Sequence, residues 1–257
     1  NAFFFAQDNA AAQPAPETTD SFDLGARYTT GKFQAQGSFW YTSYKNRLAS
    51  AFDPELNVSV YRNLGKVEKY GFDGSVSYQP IENVSLYVFG SYLKSKIQDD
   101  IQIGTVTVAG VTTPVFAPTA GKRESGAPVY TIGARGEVNY EGVTLGIQAK
   151  RTGRRYVYDT NLPTYRGTTA APVEIYSAAA PSYTLVDLDA RVSLARFGVP
   201  DTYFQLNVSN LFDKFYVGGF GGGLNQSITL ATGAYGSPGF VQIGSPRAVS
   251  GSLHVSF

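Results

Sequence analysis

Four places in this chain combine reactive side chains with close spacing. Asp187 and Asp189 stand two residues apart with Arg191 two further on, so an extended chain puts all three on one face. Carboxylates so placed are raw material for an acid/base pair or half of a cation site. In the run KRTGRRYVYD, Lys150, Arg151, Arg154 and Arg155 adjoin Tyr156 and Tyr158. Such a cluster suits an anionic ligand, gripped by bidentate guanidinium contacts and ring packing; it equally suits lipid phosphates or a solvated rim. GGFGGG at 218–223 has the glycine content of a phosphate-cradling loop, but no strand–loop–helix setting surrounds it, and a flexible loop is expected. His254, the only histidine, has no serine and carboxylate spaced to complete a triad.

Composition removes most of the remaining chemistry. With no Cys there is no disulfide, thiolate nucleophile or Cys-ligated metal, and a single His removes multi-histidine metal sites. No catalytic residue, metal or cofactor is therefore expected, and the chain reads as something other than an enzyme. Asp187 and Asp189 are expected to meet water or another domain. A formal net charge of +1 gives no global field that recruits nucleic acid.

The elements that carry these residues follow from a period of two. In 33–44, Phe33, Ala35, Phe39 and Tyr41 share one face while Gln34, Gln36, Ser38 and Trp40 share the other. The same alternation recurs in 22–29, 68–79, 84–95, 129–140, 143–152, 183–195, 202–210 and 247–257, and charges keep to one side. Many of these nine runs exceed the roughly five or six residues usual for strands of soluble proteins. Their connections alternate: TGK at 30–32, PIEN at 80–83, YEG near 141 and ARFGVPD ending at Asp201 are short, while about 45–67, 96–128, 153–182 and 211–245 are long. The fold class expected is all-β: a transmembrane antiparallel β-barrel with short periplasmic turns, long structureless extracellular loops, a lipid-facing apolar face and a wet lumen. A soluble carbohydrate-binding β-domain would instead pack its apolar face on a second sheet. Nine is odd, whereas single-chain bacterial barrels have an even strand count. The expectation is therefore a piece of a barrel, with residues 1–21 an extracellular loop segment and residues 22–257 its C-terminal part. The first residues lack the basic region of a signal peptide. Trp40 and Tyr44 would face the lumen near the outer end of an ascending strand and, with Arg154, Arg155, Tyr156 and Tyr158, make the candidate binding pocket.

Five stretches, in order, resemble the TonB-dependent receptor family. They are PETTDSFDLGARY at 16–28, SFWYTSYKNRL at 38–48, NLGKVEKYGFDGSVSYQP at 63–80, NVSNLFDKFY at 207–216 and GSPRAVSGSLHVSF at 244–257. Asp73 and Ser75 stand where the family often has glutamates. The resemblance implies a receptor of the bacterial outer membrane that imports a scarce nutrient such as a ferric siderophore, cobalamin or an oligosaccharide. A passive porin, or an enzymatic outer-membrane barrel, is the alternative that shares the alternation. The partners implied are outer-membrane lipid and lipopolysaccharide, a small-molecule ligand, the TonB complex acting through a plug domain absent from this chain, and the barrel-assembly machinery at Phe257.

Overall fold

The computed structural model describes residues 15–53, 58–63, 65–168, 170–199, 201–220, 234–235 and 241–255. Nine strands form one antiparallel sheet in chain order. They are β1 (Thr18–Thr30), β2 (Phe33–Lys45), β3 (Val67–Ile81), β4 (Val84–Ile97), β5 (Tyr130–Tyr140), β6 (Val143–Thr152), β7 (Tyr183–Ser193), β8 (Tyr203–Ser209) and β9 (Ala248–His254). Each pairs with the strand before and after it, and β1 and β9 are the edges. Every expected strand is present, and β1 begins at Thr18, inside the segment expected to be loop.

Register puts like with like. Phe22, Tyr41 and Tyr70 align across three strands, as do Leu24, Phe39 and Phe72. Ile147, Leu188 and Val208 do the same further along. These side chains share one face of the sheet, and most are exposed there: Phe72 is 54 % exposed and Leu145 56 %. A soluble chain rarely leaves so wide an apolar face uncovered, whereas a barrel strand presents it to lipid. No second sheet covers it among the described residues. The opposite face carries Asp23, Arg27, Asp73, Arg135, Glu137, Asp187 and Asp189.

The short rim is made by tight turns. Glu141 and Gly142 both take positive φ, 49° and 81°, the pair that a two-residue type I′ hairpin needs between β5 and β6. The β7–β8 connection holds a single 3₁₀ turn, Ala195–Phe197, closed by Gly198 at φ 80°. The long rim corrects the expectation of structureless loops. Hairpins rise from it: Leu48–Asp53 with Val58–Asn63, Ile101–Val108 with Val111–Ala117, and Thr164–Thr168 with Ala171–Tyr176. These segments keep the β-branched and alternating character of strands, so pairing satisfies their backbone groups above the sheet. Gly219 and Phe220 of the glycine run likewise pair, with Gln242 and Val241, instead of forming a free loop, and the register slips at Gly218, where a Cβ would lie 2.9 Å from Gly244 Cα. Residues 221–223 lie outside the described residues, as does Phe257.

A small buried core lies at this rim, on the polar face. Val67, Ile97, Ile101 and Ala117 are almost fully buried, with Tyr44 packed against them. What covers them is the segment that returns from the second hairpin, residues 117–128.

Candidate functional site

The returning segment is strapped by its own backbone to the open edge of β4, beyond the end of β5. Gly121 N–H donates to the Ile97 carbonyl at 2.8 Å, and the Lys122 carbonyl accepts from Ile97 N–H at 2.9 Å. The Arg123 guanidinium reaches the Leu93 carbonyl at 2.9 Å, and Glu124 N–H donates to Ser95 Oγ at 3.1 Å. Glu124 then accepts from Arg47 at 3.2 Å and pairs with Lys69. Arg47 also holds Glu17 at 3.0 Å. Burial alone would raise the Glu17 carboxyl, but the Leu48 amide and Arg47 outweigh it and hold the group below its usual range. The bonded pairs among these four charges lie between 30 and 77 residues apart in sequence, so no local spacing announces them.

The strap also meets the loop that follows β6. Ser125 N–H donates to Asp159 Oδ1 at 2.7 Å, and Arg123 N–H to Asn161 Oδ1 at 2.9 Å. Asn161 returns its amide to the Arg123 and Tyr158 carbonyls. Burial pushes the Asp159 carboxyl up, against the Ser125 hydrogen bond, and the nearby Glu124 charge adds to the effect. Two long loops are thus joined through backbone-to-side-chain bonds, the kind that specifies a geometry closely.

Against this frame the six candidate residues separate. Trp40 lies on the polar face, half-buried, with its indole N–H donating to Asp73 Oδ2 at 2.8 Å. Below it opens a cleft of about 580 Å³, lined by Arg27, Gln36, Ser38, Ser75, Phe89 and their neighbours. Tyr44 is on the same face, but its ring is held between the Arg47 and Lys69 cations, 5.1 and 4.9 Å from its centroid. Arg154 is exposed and stands over the Tyr156 ring at 5.6 Å. Arg155 turns the other way and is buried, 8 % exposed. Its guanidinium donates to the Val217 and Gly218 carbonyls and packs between the Tyr183 and Phe220 rings. Tyr158 is half-buried beside Asp159, and burial pushes its hydroxyl up. Arg154 and Tyr156 are brought together; Arg155 ties two loops, and no contact joins Trp40 or Tyr44 directly to residues 154–158 among the described residues.

The paired carboxylates do not act as a pair. Asp189 takes Arg135 at 2.6 and 3.0 Å, from two strands away. The ion pair passes over Gly146, where any Cβ would lie 2.4 Å from Arg135 Nη2. Asp187 Oδ1 instead accepts the Asn210 amide at 2.8 Å. Asn210 in turn holds the Lys214 and Ser245 carbonyls, and Asp213 accepts from Arg247 N–H at 2.8 Å. The NLFDKFY and GSPR stretches therefore meet in one turn cluster and serve structure. His254 stacks on Tyr203, ring centroids 4.9 Å apart. Groups of metal-ligating side chains are absent among the described residues.

The comparisons agree with this architecture. The profile of the TonB dependent receptor-like β-barrel family matches residues 2–211, most of the 257. Among solved structures, the siderophore receptor PiuA from Acinetobacter baumannii is 18% identical with a TM-score of 0.61, covering 91% of this chain and 28% of that one. The ferric yersiniabactin uptake receptor FyuA from Yersinia pestis is 16% identical, TM-score 0.59, covering 91% and 29%. The copper transporter OprC is 15% identical, TM-score 0.65, covering 97% and 33%. This chain thus spans about a third or less of the length of these structures. No curated protein sequence matches it. Nine antiparallel strands with tight turns on one rim, hairpin loops on the other, and a profile match over most of its length place this chain in the TonB-dependent receptor-like β-barrel family.

Proposed function

We propose that this chain forms the C-terminal barrel wall of an outer-membrane receptor that imports a scarce nutrient, a ferric siderophore being the substrate class favoured by its structural neighbours. The barrel wall then starts with β1 at Thr18, and the chain before it belongs to an extracellular loop. The long rim faces outward, the polar face lines the lumen, and a plug domain and the TonB complex complete the machine. The observation that carries this reading is the joined pair of long loops, with Arg154 exposed and Tyr156 half-buried on it. A ligand arriving from outside meets an ordered surface with an available guanidinium and an aromatic ring, and an anionic chelate can engage both. Asp73, the hydrogen-bond partner of Trp40, lines the cleft deeper in the lumen. Tyr44, Arg155 and Tyr158 act by holding the loops in place.

Uptake of radio-iron carried by a panel of siderophores, in cells whose only receptor is the full-length protein, tests the reading. Uptake should require TonB and an energised inner membrane; uptake that persists without TonB identifies a passive pore and overturns it. Arg154→Ala should weaken binding of an anionic ligand by roughly one to two decades, since a desolvated charged hydrogen bond contributes about 1.5–3 kcal/mol. Heat-modifiable gel mobility should remain that of a folded barrel. Unchanged affinity for the transported chelate removes Arg154 from the site.

A further inference from the structure

Two buried charges on one loop lack a partner of opposite sign. Arg155 is 8 % exposed and Asp159, four residues on, is 1 % exposed. The Arg155 guanidinium meets the Val217 and Gly218 carbonyls and the Tyr183 and Phe220 rings, and its buried Nε has no acceptor among the described residues. The loop it grips has no carboxylate to offer: Asp213 accepts from Arg247 N–H, and residues 214–257 contain neither Asp nor Glu. Asp159 is held by Ser125, a neutral donor, and forms no ion pair among the described residues. Glu124 and Lys69 stand near it but are paired with each other.

Charges are rarely buried beside neutral groups alone, because the lost hydration is recovered only by an opposite charge. Here the two charges are of opposite sign and share one short segment. An extended chain rises about 3.3 Å per residue, so the Cα atoms of 155 and 159 stand at most about 13 Å apart. The two side chains together span that distance, and four residues of extended chain put them on one face. The base of the loop is fixed: Arg155 pairs with Ala180, and the Arg154 carbonyl accepts from Val129 N–H. Asp159 instead lies in a turn closed by Asn161 N–H on the Tyr158 carbonyl, and a turn opens more readily than a ladder.

We propose that residues 155–159 are a two-state switch for the loops above the polar face. In the state seen here Arg155 holds the loop of Val217 and Gly218, and Asp159 holds the returning segment at Ser125. In the other state the turn moves, Arg155 and Asp159 pair with each other, and both neighbours are released together. The ion pair gained opposes the two junctions lost, which is the balance a switch requires. Three long loops are thereby joined or freed as a set, although the two charges touch different ones. No ligand takes part in the exchange, which is therefore independent of what the receptor imports.

Hydrogen exchange of the full-length protein in micelles, without ligand and at a pH where Asp159 is ionised, reads both junctions at once. Asp159→Asn keeps an acceptor for Ser125 N–H but cannot form the ion pair. It should slow exchange about tenfold at 123–126 and also at 217–220, which Asp159 does not touch. Arg155→Gln should slow exchange at 123–126 by a similar factor while quickening it at 217–220, where the grip is lost. Arg155→Lys keeps the charge and should leave 123–126 as in the wild type. The double variant Arg155→Gln/Asp159→Asn should be no slower at 123–126 than either single one, because each already removes the same pair. Unchanged exchange at 217–220 in the Asn variant, unchanged or faster exchange at 123–126 in the Gln variant, or a Lys variant that behaves as Gln does each overturns the proposal. Heat-modifiable gel mobility confirms the barrel in every variant; if Arg155→Gln does not assemble, the remote effect of Asp159→Asn at 217–220 decides by itself. Absent siderophore uptake by the wild type leaves these outcomes as they stand, so the switch and the receptor reading fail separately.

Discussion

Gly71 sits opposite Trp40 in the β2–β3 ladder, and the indole lies across it to reach Asp73. A Cβ at Gly71 would stand 2.4 Å from the Tyr92 carbonyl oxygen and 2.5 Å from Trp40 Cζ2. The ring alone can swing aside, but the carbonyl is ladder backbone and has nowhere to go. Gly71→Ala should therefore cost about 1–3 kcal/mol, as overpacking does. It should also break the Trp40–Asp73 hydrogen bond. Urea unfolding of the barrel in micelles, with near-ultraviolet circular dichroism of the tryptophan, checks both; an unchanged spectrum and midpoint would contradict the packing. Gly146 is the gentler case. Its would-be neighbours are the ends of Arg135 and Asp189, which can move at the expense of their ion pair.

At the scale of the strand, the two faces of β4 offer a direct comparison. Val88 stands on the apolar face, aligned with Val76 and Ala134, and Ser91 on the polar face opposite Asp73. Val88→Arg near the bilayer middle should cost about 2–4 kcal/mol. Ser91→Arg should cost much less, because the guanidinium enters a wet lumen beside a carboxylate. Equal losses in reversible folding titrations into lipid vesicles would mean that the faces are assigned the wrong way round. Asp189→Arg is a poor control on this sheet, since it removes the partner of Arg135 and sets two guanidinium groups together.

Across the whole molecule, the loops above the sheet form one linked system whose joints respond oppositely to pH. Asp159 has a carboxyl raised by burial, so the folded state binds its proton more tightly than the unfolded one. Its contribution to the junction is full below the ordinary carboxylate range and is lost as pH rises through the raised value. Glu17 is lowered, so its contribution is full above the ordinary range and is lost as pH falls through the lowered value. Hydrogen exchange at residues 123–126 should therefore quicken as pH rises through the Asp159 transition, beyond the intrinsic base dependence. Asp159→Asn should remove that step, because an amide oxygen still accepts the Ser125 N–H and carries no charge. A step of equal size in the variant would assign the pH response to another group.

The alternation of side chains by itself determined the nine strands, their faces and the alternation of tight turns with long loops. Strand period and turn chemistry are local, and a barrel wall is built from neighbours in chain order. The candidate residues were legible only as types. That Arg154 is free while Arg155, its neighbour, is clamped to Val217 and Gly218 depends on a strand more than 60 residues away. Likewise Asp187 and Asp189 look like a pair in sequence but are divided by partners on different elements. The charged knot of Glu17, Arg47, Lys69 and Glu124 had no signal at all, since isolated charges carry no period. Only the tertiary structure brings those residues together, because the fold-back of residues 117–128 is decided by which backbone groups of β4 remain unpaired beyond the end of β5.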